Sequence, residues 1–384
     1  MSKATIKNLL FCLIMAILIF PLFFQLFEGT ITYKLKGYKA PPKKVTLDVN
    51  TWLDGSWQKY AEAYSQDKLQ ARHFLIRLNN QLKFSLFDKL NANGVERGRN
   101  DFYFERRYIK AHLGTNFQGD AHYVEKVEKL QELTDTLKAH GIEMLFVIAA
   151  GKASFMPENI PEKYLPIKKG KNNYEAFTEQ LKKSSIPFLD LNQYLSDMKD
   201  TATYPLYTKG NIHWSFYAIS FVTDTLVQVI ENQLDKGLPA YVTSPVEVAY
   251  EPTFYTEGGI FKSLNLYWTE IKDTFAYRNF VVDEASLKDK YRPKVWVVGD
   301  SYYGTLRTYE IPQHFFDESA TFFYYNQSVV NQKDKNYKPG TIKDNIEKIE
   351  EQDLLIFFTT DAGIPGCSWG AEEEILKYYK EKSN

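Results

Sequence analysis

The triplet Gly299-Asp300-Ser301 follows directly on the apolar run Lys294–Val298, and that placement can make a nucleophile. A serine at the turn between a strand and a helix exposes its Oγ, while the N–H groups that follow it face an incoming oxyanion. Such a serine needs a base. His213, in the loop Thr208-Lys209-Gly210-Asn211-Ile212-His213-Trp214, sits in a short glycine-containing turn before a helix, whereas His73, His112, His122, His140 and His314 have no comparable setting. Each motif alone also has an ordinary use: Gly-Asp-Ser caps helices and turns, and a histidine beside a tryptophan can simply hold structure. What distinguishes the pair is a shared position at the edge of one expected sheet.

Further polar residues fall at the same edge, where open parallel sheets bind ligands beyond the carboxyl ends of their strands. Lys152 follows MLFVIAA and could meet an anionic sugar or an oxyanion, or stand as a solvated turn lysine. Asn326 follows TFFYY as a candidate oxyanion or sugar donor, or as a cap. Asp190 and Asp361 follow two other strands. Neither a paired Cys/His zinc spacing, nor a phosphate-binding loop, nor a dinucleotide fingerprint occurs, so no metal or soluble cofactor is expected.

The elements that must position these residues read as α/β. Strands are expected at Met144–Ala150, Ile186–Leu189, Lys294–Val298, Thr321–Tyr325 and Leu354–Phe358, each followed by a turn or helical stretch. Val127, Leu130, Leu133 and Leu137 form a helix stripe ended by Gly141, and Ile219–Leu234 a second helix. Five such strands fit one doubly wound sheet. Residues 236–292 are rich in Pro, Gly and Tyr and read as an insertion of irregular or short β structure. Upstream, Phe74, Leu75, Leu78, Leu82 and Leu86 recur at helical spacing, which suggests a helix docking on the main domain.

The chain has 384 residues, 47 basic and 48 acidic side chains, 44% hydrophobic residues and 2 cysteines, which excludes a disordered chain. A net charge of −1 offers no field to gather phosphate backbones, so nucleic acid is not an expected partner. Residues 9–27 are uncharged and long enough to cross a bilayer, with Lys3 and Lys7 before them. The expected organisation is a cytoplasmic tail at 1–8, an anchor at 9–27, a spacer at 28–51 and an extracytoplasmic domain at 52–384. A cleaved signal peptide is the alternative, but the apolar run exceeds a typical signal core and lacks a small-residue cleavage site.

Gly299-Asp300-Ser301 with Tyr302-Tyr303, the His213-Trp214 pair, Gly151-Lys152-Ala153-Ser154 with Pro157-Glu158 and Pro161, and Arg77-Leu78-Asn79-Asn80-Gln81 together resemble the AlgX/AlgJ-type, SGNH hydrolase-like polysaccharide O-acetyltransferases. The resemblance covers most of the chain after residue 50. It implies a flavodoxin-like, three-layer SGNH-type parallel sheet in permuted order, the histidine loop preceding the serine strand. It also implies a bacterial protein of the inner membrane, spanning it once with its C-terminal domain in the periplasm or outside the cell. The expected activity is transfer of an acyl group, acetyl foremost, to a cell-envelope or exported polysaccharide, with a membrane-bound O-acyltransferase supplying the acyl group. Ser301 would be the nucleophile, His213 the base, and the N–H groups after Ser301, that of Tyr302 among them, together with Asn326 the oxyanion donors. The family commonly has aspartate two residues before the histidine; Asn211 stands there and would hold the ring as a neutral amide. Asp190 or Asp361 could supply the missing carboxylate, or serve as caps. SGNH enzymes also offer an asparagine after the third strand, where this chain has Thr359-Thr360-Asp361-Ala362-Gly363. The two departures keep open a non-catalytic polysaccharide-binding or assembly scaffold, or an extracytoplasmic carbohydrate esterase.

Overall fold

The structure, a computed structural model, describes residues 3–26, 35–37, 43–269, 272–282, 290–334 and 336–383. The chain divides into two units, Met1–Asn93 with Ile260–Glu270, and Gly94–Gly259 with Ile271–Asn384. The unit that carries the sheet therefore begins at Gly94, later than the residue 52 expected from sequence.

In the first unit, α1 (Lys3–Leu26) contains Pro21 and an apolar stretch, Lys3–Pro21, of mean hydropathy 2.1, long enough to cross a membrane. A one-turn helix at Val49–Leu53 and two longer helices follow, α2 (Ser56–Lys68) and α3 (Gln70–Phe87). Of the stripe expected to be buried, Leu75, Leu78, Leu82 and Leu86 are exposed, while Phe74 is half-buried and meets the Tyr267 ring of the same unit, centroids 6.1 Å apart. Phe27 and most of the expected spacer, 28–34 and 38–42, lie outside the described residues.

The second unit is built on a seven-stranded sheet. Its strands are β1 (Glu143–Ala149), β2 (Phe188–Asp190), β3 (Val295–Gly299), β4 (Thr321–Tyr324), β5 (Ser328–Asn331), β6 (Lys338–Pro339) and β7 (Leu354–Thr360), in the spatial order β6-β5-β4-β3-β7-β1-β2. The five strands expected from sequence are all present and mutually parallel. β5 and β6 extend the edge antiparallel. They were missed because Ser328–Asn331 and Lys338–Pro339 are short and lack the apolar runs that mark buried strands.

Alternation along the central strands feeds two cores. Leu145, Val147 and Ala149 of β1 with Val295 and Val297 of β3 face α4 (Arg106–Leu113), α7 (Leu191–Met198), α8 (Phe216–Leu234) and α9 (Ser301–Thr308). Met144, Phe146 and Ile148 with Trp296 and Val298 face α5 (Asp120–Ala139), α6 (Asn173–Leu181) and α10 (Ala371–Lys382). A sheet with both faces covered by helices is the three-layer arrangement that continuous apolar strands require.

Within the 236–292 insertion, Tyr241–Thr243 pairs antiparallel with Phe280–Val282, and Glu247–Ala249 with Phe275–Tyr277. Residues 270–271 and 283–289 of that stretch lie outside the described residues.

Candidate active site

Ser301 opens α9 immediately beyond β3, with Asp300 as the N-cap residue. Gly299 is required where strands approach closely, since a Cβ there would lie 2.7 Å from the Phe358 carbonyl oxygen of β7. Asp300 is buried and fully engaged. Its Oδ1 accepts from the Tyr302 N–H at 2.9 Å, and its Oδ2 from the Thr360 N–H at 2.8 Å and the Thr360 hydroxyl at 2.9 Å. Burial raises its pKa against those bonds and against the Arg107 cation. The aspartate of the triplet thus fixes the turn and ties it to the end of β7.

His213 arrives from the loop before α8. Its Nε2 lies 2.9 Å from Ser301 Oγ, the separation of a nucleophile and its base. Three backbone carbonyls of this loop are anchored. The buried Lys152 Nζ donates to Lys209 O at 2.6 Å and Asn211 O at 2.8 Å, and the Tyr302 hydroxyl donates to Ile212 O at 2.9 Å. Trp214 Nε1 donates to Thr305 Oγ1 at 2.7 Å, tying the next residue to α9. The Tyr302 ring meets the imidazole edge-on, centroids 4.8 Å apart. Ser215 closes the loop by donating to Pro205 O and by capping α8.

The second ring nitrogen is different. His213 Nδ1 is buried and has no hydrogen-bond partner among the described residues. Asn211 does not hold the ring; its Oδ1 instead accepts from the neighbouring Ile212 N–H at 2.9 Å. A short Asx-type bond to its own chain satisfies the amide locally, and that competition is usual for asparagine in loops. Burial, assisted by the Arg107 charge, lowers the His213 pKa to about 4.

Of the other expected residues, Asp190 takes the capping role that sequence allowed, while Lys152, Tyr302 and Asn326 are already engaged within the fold. Lys152 is neither solvated nor open to a ligand: burial pushes its pKa well below the usual lysine value, only partly opposed by Asp273. The Tyr302 N–H is taken by Asp300, so it cannot face an oxyanion; within the first turn of α9 the Ser301 and Tyr303 N–H groups have no carbonyl one turn back. Asn326 is also committed, its Nδ2 donating to Trp369 O and Glu374 Oε2 and its Oδ1 accepting from the Ile342 N–H. Asp190 caps α7 through the Asn192 and Gln193 N–H groups and accepts from the Tyr174 hydroxyl. Asp361 accepts from the Ala362 N–H at 2.6 Å and is bonded by the Ser154 hydroxyl and the Gly151 N–H. Gly151 is needed for that approach, because a Cβ there would fall 2.1 Å from Asp361 Oδ1. Burial raises Asp361 to about 6, with Asp300 adding to the rise.

Arg107 was not singled out from sequence. Its guanidinium donates to Glu105 Oε2 at 2.7 Å and to the Tyr108 hydroxyl at 3.2 Å, and also bonds Tyr325. Its side chain is 54% exposed, so only partial desolvation opposes its charge, and the oxygens of Tyr108, Glu105 and Tyr325 outweigh that and raise its pKa. It acts electrostatically on both His213 and Asp300. The available signal was the run Glu105-Arg106-Arg107-Tyr108 at a helix start, which has no catalytic spacing of its own.

The profile described as "SGNH hydrolase-like domain, acetyltransferase AlgX" matches residues 95–314, and the chain belongs to that family. The match takes in the histidine loop and the serine turn. Among curated proteins, the chain is similar to the probable alginate O-acetylase AlgJ of Pseudomonas syringae pv. tomato (strain ATCC BAA-871 / DC3000). They are 23% identical over 201 residues, 52% of this chain and 49% of that protein. The chain thus spans about half the length of that relative. Among solved structures, it is similar to the O-acetyltransferase domain of Pseudomonas putida AlgJ, with TM-score 0.46, 14% identity, and coverage of 71% of this chain and 92% of that one. Pseudomonas aeruginosa AlgX gives TM-score 0.48 and 15% identity, covering 73% of this chain and 67% of that one.

Proposed function

We propose that the chain is a membrane-anchored O-acyltransferase, acetyl being the acyl group, acting on a cell-envelope or exported polysaccharide through an acyl-serine intermediate. The observation that carries this reading is the 2.9 Å approach of His213 Nε2 to Ser301 Oγ at the carboxyl edge of the sheet. Membership in a family described by an acetyltransferase favours acetyl over other acyl groups.

Ser301 Oγ adds to the donor's carbonyl carbon as His213 Nε2 takes the hydroxyl proton. The resulting oxyanion is met by the Ser301 and Tyr303 N–H groups and the Arg107 charge. Collapse breaks the bond to the leaving group, which takes the proton from His213. A sugar hydroxyl then repeats the steps in reverse: its proton passes to Nε2, its oxygen attacks the acyl carbon, and Ser301 leaves as the alcohol. Neutral imidazole is the form needed at each start, and the depressed His213 pKa supplies it at neutral pH. The cost lies in the imidazolium, whose Nδ1–H has no acceptor among the described residues. A base of this kind suits an energy-rich acyl donor, in keeping with supply by a membrane-bound O-acyltransferase.

The unpartnered Nδ1 and the amide at Asn211 favour a second reading, a polysaccharide-binding or assembly scaffold that keeps the fold; an esterase is the same chemistry with water as acceptor. Incubation with an acetyl ester and a panel of oligosaccharides separates the three. Transfer gives acetylated oligosaccharide, an esterase gives acetate alone, and a scaffold gives neither.

A further inference from the structure

α3 in the first unit is arranged inside out for a helix of a water-soluble protein. Its polar side chains hold the segment around residues 264–268: Asn80 Nδ2 donates to Leu264 O at 2.9 Å, Arg77 Nη1 donates to Leu266 O at 2.8 Å, and Gln81 Oε1 accepts from the Tyr267 N–H at 3.0 Å. Asn80 and Gln81 are buried. On the opposite side Leu75, Leu78, Leu82 and Leu86 fall within an arc of roughly 80° at helical spacing, and they are 40%, 37%, 48% and 67% exposed. Phe87, and Trp268 of the same unit, are exposed as well.

Two features of the unit say what covers this stripe. The first is continuity with α1: the Phe20 ring lies 5.9 Å from the Phe74 ring of α3. Counted from the start of the uncharged run at Leu9, Phe20 lies eleven residues on, about 17 Å into a hydrocarbon core of ~30 Å, so the contact falls in the outer half of the span. The second is charge. α3 contains no acidic residue but has Arg72, Arg77 and Lys83. Leucines along one face with cations beside them are the composition of helices that lie in the plane of a membrane interface.

We infer that α3 lies at the headgroup boundary of the bilayer that α1 crosses, its Leu75-Leu78-Leu82-Leu86 stripe against acyl chains and Arg72 and Lys83 toward anionic headgroups. The inference rests on the reading of α1 as a retained anchor. Helix and anchor would then fix the first unit to the membrane at two places, one spanning and one lying flat.

The test uses the full chain in nanodiscs of phosphatidylcholine and phosphatidylglycerol in roughly equal amounts. A nitroxide is attached to native Cys12 in α1, or, in a Cys12→Ser background, to Leu82→Cys or to Thr136→Cys at a half-buried surface position of the second unit. The expected result is that the labels at residues 12 and 82 meet oxygen more readily than a water-soluble nickel chelate, with the order reversed at residue 136. A residue 82 label as open to nickel as that at residue 136 overturns the inference while residue 12 still reports the bilayer. A label at 82 shielded from both reagents overturns it in favour of a protein partner on the stripe. If residue 12 itself reads as water, the anchor falls and the inference with it. Adding Leu78→Asp and Leu86→Asp, both at exposed positions, should move the residue 82 label into water without releasing the protein from the disc. An unchanged ratio in that variant contradicts a lipid-facing stripe.

Discussion

His213 presents Nε2 to Ser301 Oγ at 2.9 Å while its Nδ1 is buried with no hydrogen-bond partner among the described residues, so the imidazole is held by its surroundings and not by an acid among them. The Tyr302 ring edge and the tethered carbonyls of Lys209, Asn211 and Ile212 do the holding. Orientation is thereby kept, but stabilisation of the imidazolium is not.

This predicts an unusual pH profile. Burial and Arg107 lower His213 from 6.5 to about 4, so the neutral base persists well below the ordinary histidine range. The kcat/KM for an acetyl ester should stay level as pH falls through 6.5 and drop only as it approaches 4. Arg107→Gln removes a cation that disfavours imidazolium, so the acid limb should move upward. It should stop short of 6.5, because burial is the larger cause. A limb at the same pH in both proteins would show that Arg107 does not act on His213.

Lys152→Met tests the tethering of the histidine loop. It leaves the Lys209 and Asn211 carbonyls without their donor, at about 1–3 kcal/mol for each unsatisfied buried group. Thermal unfolding should fall accordingly, and amide exchange should rise at 208–213. Turnover should drop more than KM rises, since the base and not the ligand contacts is displaced. An unchanged exchange pattern would remove Lys152 from the positioning of His213.

Asp361 gives a stability prediction distinct from activity. Its folded pKa, about 6, stands above the ordinary 3.8, so between those values the folded chain holds a proton that the unfolded chain has lost. Stability from this group is therefore full below 3.8 and declines as pH rises toward 6, by about 3 kcal/mol in all. Asp361→Asn should flatten that slope in denaturant titrations while the ester rate stays close to wild type. If it abolishes the rate, Asp361 acts on the imidazole and its bonds to Gly151, Ser154 and Ala362 are not its main role.

Much of the fold was readable because buried parallel strands are continuous apolar runs: MLFVIAA and LLIFF are visible without any partner. The approach of His213 to Ser301 was readable because each follows or precedes an element at the same sheet edge. The supporting residues were not. Lys152, Asn326 and Tyr302 have donors, and sequence reports the donor but not the acceptor it has already found; in the fold those acceptors are Asn211 O, Trp369 O and Ile212 O. Asn211 was misplaced for the same reason, since its spacing to His213 says nothing of the competing Ile212 N–H. The α3 stripe was visible as a helix face, but amphipathicity does not tell a protein core from a lipid interface.

The most direct measurement of the central claim is trapping of the acyl-serine. The full chain is mixed with an activated acetyl ester, quenched in acid and mapped by peptide mass spectrometry. The account predicts a single acetyl group on the peptide containing Ser301, absent in Ser301→Ala and formed at least about a hundredfold more slowly in His213→Ala, as expected on loss of a general base. A folded wild-type protein that carries no acetyl group, or carries it on another residue with Ser301→Ala unaffected, would contradict it.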